Sequence, residues 1–259
     1  MVDLHGNEPV KFDNGTADAL STALNGAAES IEGQAGSRQS YVNTASQEFR
    51  GHFSELFAQN AGTAKSDAED IATNLRTVAG WVDEMKAAAE RENARRKKAR
   101  DWYAEYGDRN FFEWMHDKVA GAPEPPKVEH EDPPTFAPAS AKSTTRQTPN
   151  PGAGGSGGGG TSSAKPEDLR SFAAGSTSLN SDLTGKPAGL RGKLDDFATK
   201  CSWGTINADG LVSAFDKWLA ANDQDVKWAN TIADAFAAAG GEGSVSTVSD
   251  AALAAALAA

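Results

Sequence analysis

Helix breakers are not scattered through this chain of 259 residues; they are gathered into one window. Of its 11 prolines, nine lie between Pro123 and Pro166, and seven glycines stand between Gly152 and Gly160. Proline fixes φ and removes a backbone donor, and glycine raises the entropy cost of ordering the chain, so a window made of both resists regular structure. The flanks are rich in Ala, Leu, Asp and Glu. Their scarcity of β-branched and aromatic alternation argues against an all-β protein, and the composition excludes a collagen-like, mucin-like or wholly disordered chain. The expected fold is therefore all-α. It has two helical-hairpin or bundle domains, over residues 1–120 and 166–259, each with a short C-terminal helix. A long disordered linker over 121–165 joins them, Pro-rich at its start and Gly/Ser-rich after.

Periodicity places the helices. Residues 17–49 carry a stripe at Leu20, Leu24, Ala27, Ile31, Gln34, Arg38, Val42, Ala45 and Phe49. Its steps of three and four put one face toward a partner. Gln34 and Arg38 weaken the stripe in its middle, and Asn14 or Thr16 could cap its start. Residues 64–100 are cleaner: Ala64, Ala68, Ile71, Leu75, Val78, Val82, Met85 and Ala89 alternate steps of four and three, a heptad seam. Ser66 with Glu69 could form a capping box. The two stripes predict an antiparallel hairpin with its break inside 50–63, around Gly51 or Gly62. A short helix over 110–119 should follow, with Asn110 and Glu113 at its start. Beyond the linker, Pro166-Glu167-Asp168 suits a helix start. Stripes then run Leu169–Leu183, Leu190–Cys201 and Leu211–Phe236, the last crossing polar Asn222–Asp225. Residues 244–249 alternate weakly, and Ser249-Asp250 could cap a last helix over 250–259.

Charge narrows the function. Residues 1–120 hold 20 acids to 14 bases, residues 166–259 hold 12 to 7, and the whole chain stands at −11. Acidic domains repel nucleic acid and anionic membrane over most of their surface. No apolar stretch approaches the length of about 20 residues that a membrane helix needs, so no membrane insertion is expected. The start, Met1-Val2-Asp3-Leu4-His5, has neither a basic nor an apolar run, and no cleaved signal peptide is expected.

The residues with chemical potential are few. The sole cysteine, Cys201, lies on an apolar stripe and is assigned to packing. Glu113-x-x-His116 lacks the second pair and further acids of a bridged metal site, so no metal is expected. His130, among Glu129, Glu131 and Asp132, reads as solvated. The glycine run has no Gly-Lys-Ser/Thr and is no phosphate loop. No catalytic residue and no cofactor are expected. The basic run Arg95, Arg96, Lys97, Lys98 and Arg100 beside Trp102 could grip phosphates and stack bases, or dock an acidic partner. Its neighbours Glu90, Glu92 and Asp101 favour a solvated helix face.

Two turns carry a resemblance. Phe49-Arg50-Gly51 and Ser202-Trp203-Gly204-Thr205 each sit between helical stripes. With Phe49, Arg50, Gly51, Trp203 and Gly204 so placed, the chain resembles the WXG family of helical hairpins exported by type VII (ESX) secretion, and larger WXG-like effector or toxin front ends most of all. Phe49 stands where that family has Trp, and Thr205 where Trp-x-Gly would place Gly. The resemblance implies a non-enzymatic secretion substrate, effector front end or secretion partner that works by helix–helix recognition. It would pair with the secretion machinery or a WXG-like protein as a homo- or heterodimer, and pass from the cytoplasm to the outside without a cleaved signal peptide. The family's Tyr-x-x-x-Asp/Glu signal is not met at Tyr103 or Tyr106, so a partner chain would supply it. The seam Ile71, Leu75, Val78, Val82 and Met85 would hold the hairpin. Two other classes stand beside this one: an intracellular nucleic-acid-binding or scaffold module using 91–103, and a toxin-associated enzyme or immunity partner, which would need convergent polar groups in a pocket.

Overall fold

The computed structural model describes residues 7–106, 130–147, 160–240 and 243–258. These are mostly helical. In chain order the elements are α1 (Asn14–Ser46), α2 (His52–Tyr106), β1 (Thr161–Ala164), α3 (Pro166–Leu183), α4 (Lys186–Lys200), α5 (Asp209–Gly240), β2 (Ser246–Ser249) and α6 (Asp250–Ala258). The helix expected over 110–119, the linker segments 121–129 and 148–159, and the Glu113/His116 pair lie outside the described residues.

α1 begins where Asp13, not Asn14 or Thr16, accepts from the Thr16 amide at 2.6 Å. The break after it is tighter than 50–63. It spans only Gln47–Gly51, and α2 runs unbroken through Gly62 and Ser66, which is therefore mid-helix and no cap. Gly62 keeps ordinary helical geometry, whereas Gly51 sits at φ +93° and makes the turn. α1 and α2 pair antiparallel, pinned by Arg76–Glu32, Lys86–Asp18 and Asn14–Glu90.

α3 and α4 form one path broken only at Thr184-Gly185, and α5 returns antiparallel beside them through Arg170–Asp234, Asn180–Asp223 and Arg191–Asp216. α1 lies against α3 and α4, where Gln34 donates to the Leu179 carbonyl and Phe12 meets Phe197 edge-on. α5 lies antiparallel to α2: the Trp218 indole donates to the Ala64 carbonyl, and Trp228 stacks on Phe57. The result is a four-helix ring, α1, α2, α5 and α3/α4, with every neighbour antiparallel. α2 and α3/α4 are diagonal and parallel, which demands one long crossover.

That crossover corrects the expected division into two independent domains. Core residues from both halves share one cluster, in which Leu20, Leu75 and Val82 join Leu183, Phe197, Leu211 and Phe215. Residues 130–147 are not a free spacer either. They run along the groove between α2 and α5, antiparallel to α2. Phe136 stacks on Trp81 at 5.1 Å, Ala139 exchanges backbone bonds with Asn207 and Leu211, and the Lys142 and Thr144 amides donate to Asp70 and Asp67. The composition misled for a physical reason. A proline-rich extended strap cannot satisfy its own backbone, yet here carboxylates and amides projecting from α2 do so.

The end of that window differs as well. Residues 161–164, assigned to the linker, form β1, which pairs antiparallel with β2 in the register Thr161↔Ser249 to Ala164↔Ser246. The other edge of β1 bonds the α1–α2 turn: the Arg50 amide donates to the Ser163 carbonyl at 2.8 Å and Ser163 returns the bond at 3.0 Å. A second apolar cluster closes this end, built from Phe49, Phe53, Phe57, Leu169, Phe172, Ile232, Phe236 and Leu253.

Candidate functional site

The two turns lie at opposite ends of the ring. At the first, Phe49 is 2% exposed and its ring stands 5.9–6.4 Å from Phe57, Phe236 and Trp228. Arg50 folds its guanidinium back on the end of α1 and donates to the Ser46 and Gln47 carbonyls, satisfying acceptors that a helix end leaves open. A Cβ on Gly51 would stand 2.5 Å from the Thr161 carbonyl oxygen, so β1 closes over this turn. At the second turn, the half-buried Trp203 donates its amide to the Lys11 carbonyl, and a Cβ on Gly204 would fall 2.6 Å from the Met85 sulfur. Met85 thus joins the α1–α2 seam to the α4–α5 turn. Ile71, Leu75, Val78, Val82 and Met85 are all fully buried. Cys201 is buried too, donates to the Asp13 carbonyl, and burial pushes its thiol pKa upward.

The basic segment is largely engaged within the chain. Arg95 and Arg96 both bond Glu92, Lys97 bonds Asp101, and Arg100 donates to the Asn7 carbonyl. Trp102 lies edge-on to Tyr103. Glu92 is the centre of this group. Its side chain is fully buried, and its acceptors also take the Glu131 amide and face His130 Nδ1 at 3.2 Å. Hydrogen bonds from Arg95 above all, then Arg96 and the strap, hold its carboxyl well below the usual carboxylate range, against the opposing effect of burial. His130 is therefore half-exposed and bonded, not simply solvated: it docks the start of the strap. Sequence reading treated Glu92 as one surface charge among several. Its i, i+3 and i+4 spacing to Arg95 and Arg96 was the available signal.

Between the two apolar clusters the ring has a polar waist, which sequence reading did not place. Arg146 from the strap is 7% exposed and donates to Asp225 at 2.9 Å, Asn222 at 2.9 Å and Asp67 at 3.4 Å. Beyond it, Asn60 and Gln147 exchange side-chain and backbone bonds. Burial raises the Asp225 pKa although Arg146 opposes this. On the other side, Arg38 leaves the α1 seam, lies over the Trp218 ring at 5.0 Å and donates from Nη2 to Gln34 and Asn180. Burial lowers its pKa to about 10, with Asp223 partly compensating.

A cleft of about 550 Å³ opens at this waist. Its walls are residues 31–42 of α1 and 57–72 of α2, and its floor comes from Phe172 and Ser176 on α3 and Asn222, Asp225 and Trp228 on α5. The wall of α2 is lined by small residues, among them Ala58, Ala61, Gly62, Ala64 and Ala68. These leave unfilled the space between helices that larger side chains fill further along. Arg38, Asn222 and Trp228 line the cleft, and each buries an N–H nitrogen with no partner: Nε, Nδ2 and Nε1 respectively. Among the described residues no helix is long and apolar enough to cross a membrane.

No family model, curated protein or solved structure matches the chain.

Proposed function

We propose that this chain is a folded recognition module of type VII secretion: a substrate, effector front end or secretion partner that acts through helix–helix contacts and carries out no catalysis. The observation that carries the reading is the Phe49-Arg50-Gly51 turn between two long antiparallel helices, with Gly51 at φ +93° and Phe49 buried at its base. A second aromatic–glycine turn, Trp203-Gly204, joins α4 and α5, so the chain carries two hairpins of related design. In this reading the α3–α5 hairpin takes the place that a dimer partner would take, since it covers the apolar faces of α1 and α2. The module therefore folds without a partner and travels from the cytoplasm outward as a preformed unit without a cleaved signal peptide. The export signal comes from another chain.

The test compares culture filtrate from wild-type cells with filtrate from cells lacking the secretion ATPase. The protein is expected outside the first and absent outside the second. Equal amounts outside both, or none outside the wild type, would overturn the reading.

A further inference from the structure

The waist cleft has a chemical bias that the export reading does not use. Its lining is mainly apolar, with Ile31, Val42, Phe57 and Phe172 among alanines. Set into it is one buried-type cation. Among the described residues Arg38 has no carboxylate within ion-pair distance; Nη2 meets the neutral acceptors Gln34 and Asn180, and the buried Nε has no partner. Asp223, whose charge partly offsets the burial of Arg38, accepts from Asn180 instead.

The remaining orphan groups point the same way. Asn222 is 5% exposed, and its orientation is fixed because its oxygen accepts from Arg146; flipping the amide would set its NH2 against the guanidinium. Its Nδ2 therefore remains a donor without an acceptor, as does the Trp228 indole nitrogen. Among the described residues that line this cleft, three bury a side-chain donor without a partner and none buries a side-chain acceptor without one. Buried donors left unsatisfied are costly, so what belongs here brings acceptors.

The other charges limit the ligand further. Arg146 is committed to Asp67 and Asp225, Glu32 to Arg76, and Lys65 and Glu69 lie out at the exposed rim. A single available cation deep in the site suits a monoanion, and a doubly charged phosphate would lack a second partner. The volume falls inside the range of small-molecule sites, roughly 300–1,000 Å³.

From this geometry we propose that the cleft between α1 and α2 binds an amphiphile with a carboxylate head and an unbranched apolar tail. The head lies at Arg38, and the tail runs along the alanine-lined wall of α2 toward Phe57 and Phe172. Arg38 then gains an ionised acceptor, which its present neutral partners do not supply, and the tail fills the space that small side chains leave.

Calorimetric titration of the full chain with dodecanoate, below micelle formation, and with dodecanol, below its solubility limit, tests the proposal. The two probes share a tail and differ in the head. Dodecanoate is expected to bind at one site per chain and at least about tenfold more tightly than dodecanol, since charge-assisted bonds exceed neutral ones by that order. Arg38→Gln should erase the preference while leaving dodecanol binding in place, and Ala61→Trp should block both. Equal affinity of the two probes, no saturable binding, or binding indifferent to Ala61→Trp would overturn it. The absence of saturable binding would leave the cleft to a partner's helix. The wild-type comparison is decisive even if a variant misfolds. These outcomes do not depend on whether the protein is exported.

Discussion

Helix α2 meets α1 in two ways within a few turns of itself. From Ile71 to Met85 the seam residues are fully buried and the two helices touch along it. From Ala58 to Ala68 the same helix faces α1 across a cleft, and Ala58 and Gly62 are exposed. The heptad spacing runs through both stretches, because Ala64 and Ala68 fall on the same register as Ile71 and Leu75. What differs is volume. Branched and long side chains fill the interhelical space; alanine and glycine do not, and Arg38 stacked on Trp218 occupies the place where α1 would otherwise close in. Period fixes which residues face inward, but side-chain size decides whether the facing helices meet.

The sharpest way to break this contrast is to place a charge in each stretch. Leu75→Asp buries an unpaired carboxylate and should destabilise by at least about 4 kcal/mol, or prevent folding. Ala58→Asp, on the cleft wall, should cost about 1 kcal/mol or less, mostly helix propensity. Urea unfolding followed by circular dichroism gives both numbers. Equal costs would mean that the two stretches are packed alike.

Next in size is the waist itself. Arg146→Met leaves Asp67 and Asp225 buried without their cation and should cost about 3–5 kcal/mol. The variant should also expose the strap, so limited proteolysis that spares 130–147 in the wild type should cut there. Adding Asp67→Asn and Asp225→Asn to the methionine change should recover much of the loss. If the triple variant is no better than the single one, the guanidinium matters for packing and not for charge.

How much of this could be read from the sequence follows from the same distinction. The helices and the α2 seam are statements about period, and their faces show in the spacing of Leu20, Leu24, Ile71 and Leu75. Gln34 and Arg38 registered as interruptions of the α1 stripe, but their partners Leu179 and Asn180 lie over 140 positions away and no local pattern connects them. The strap was hidden for a related reason. Proline content says that 130–147 cannot be helical; it says nothing of whether Asp67, Asp70 and Glu92 wait on α2 to receive its amides. The parallel arrangement of α2 and α3/α4, which requires that crossover, exists only once the four helices are packed.

Acid titration compares two of the carboxylates that bind the strap, Glu92 and Asp225. The Glu92 pKa is depressed in the folded chain, so its stabilisation is complete above the unfolded value of about 4.3 and is lost as the pH falls below it. The stability gap between wild type and Glu92→Gln should be about 1–3 kcal/mol near neutrality and shrink on acidification. Asp225 has the opposite sign. Its folded pKa is raised, so protonation favours the folded state, and the wild type should gain on Asp225→Asn as the pH falls through that value. Urea midpoints measured across pH 3–7 separate the two. Parallel slopes would show that burial does not dominate at Asp225.

The smallest effect compares two glycines, Gly51 and Gly62, either of which the sequence could have used as the turn. At Gly51 the backbone is left-handed and an added Cβ meets Thr161 and Ser162, so Gly51→Ala must strain the backbone and push β1 away. At Gly62 the helix is regular and nothing lies within 4 Å of an added Cβ. Gly62→Ala should therefore stabilise the chain by about 0.5–1 kcal/mol, because alanine has less backbone freedom to lose in forming a helix. Thermal unfolding of the two variants should show opposite shifts. The informative companion measurement is dodecanoate affinity in Gly62→Ala. A more stable chain that binds the amphiphile less well would show that a poor helix former stands on this wall because its missing methyl keeps the cleft open. Unchanged affinity would place the cleft's limiting width deeper, at Ala61 and Ala68.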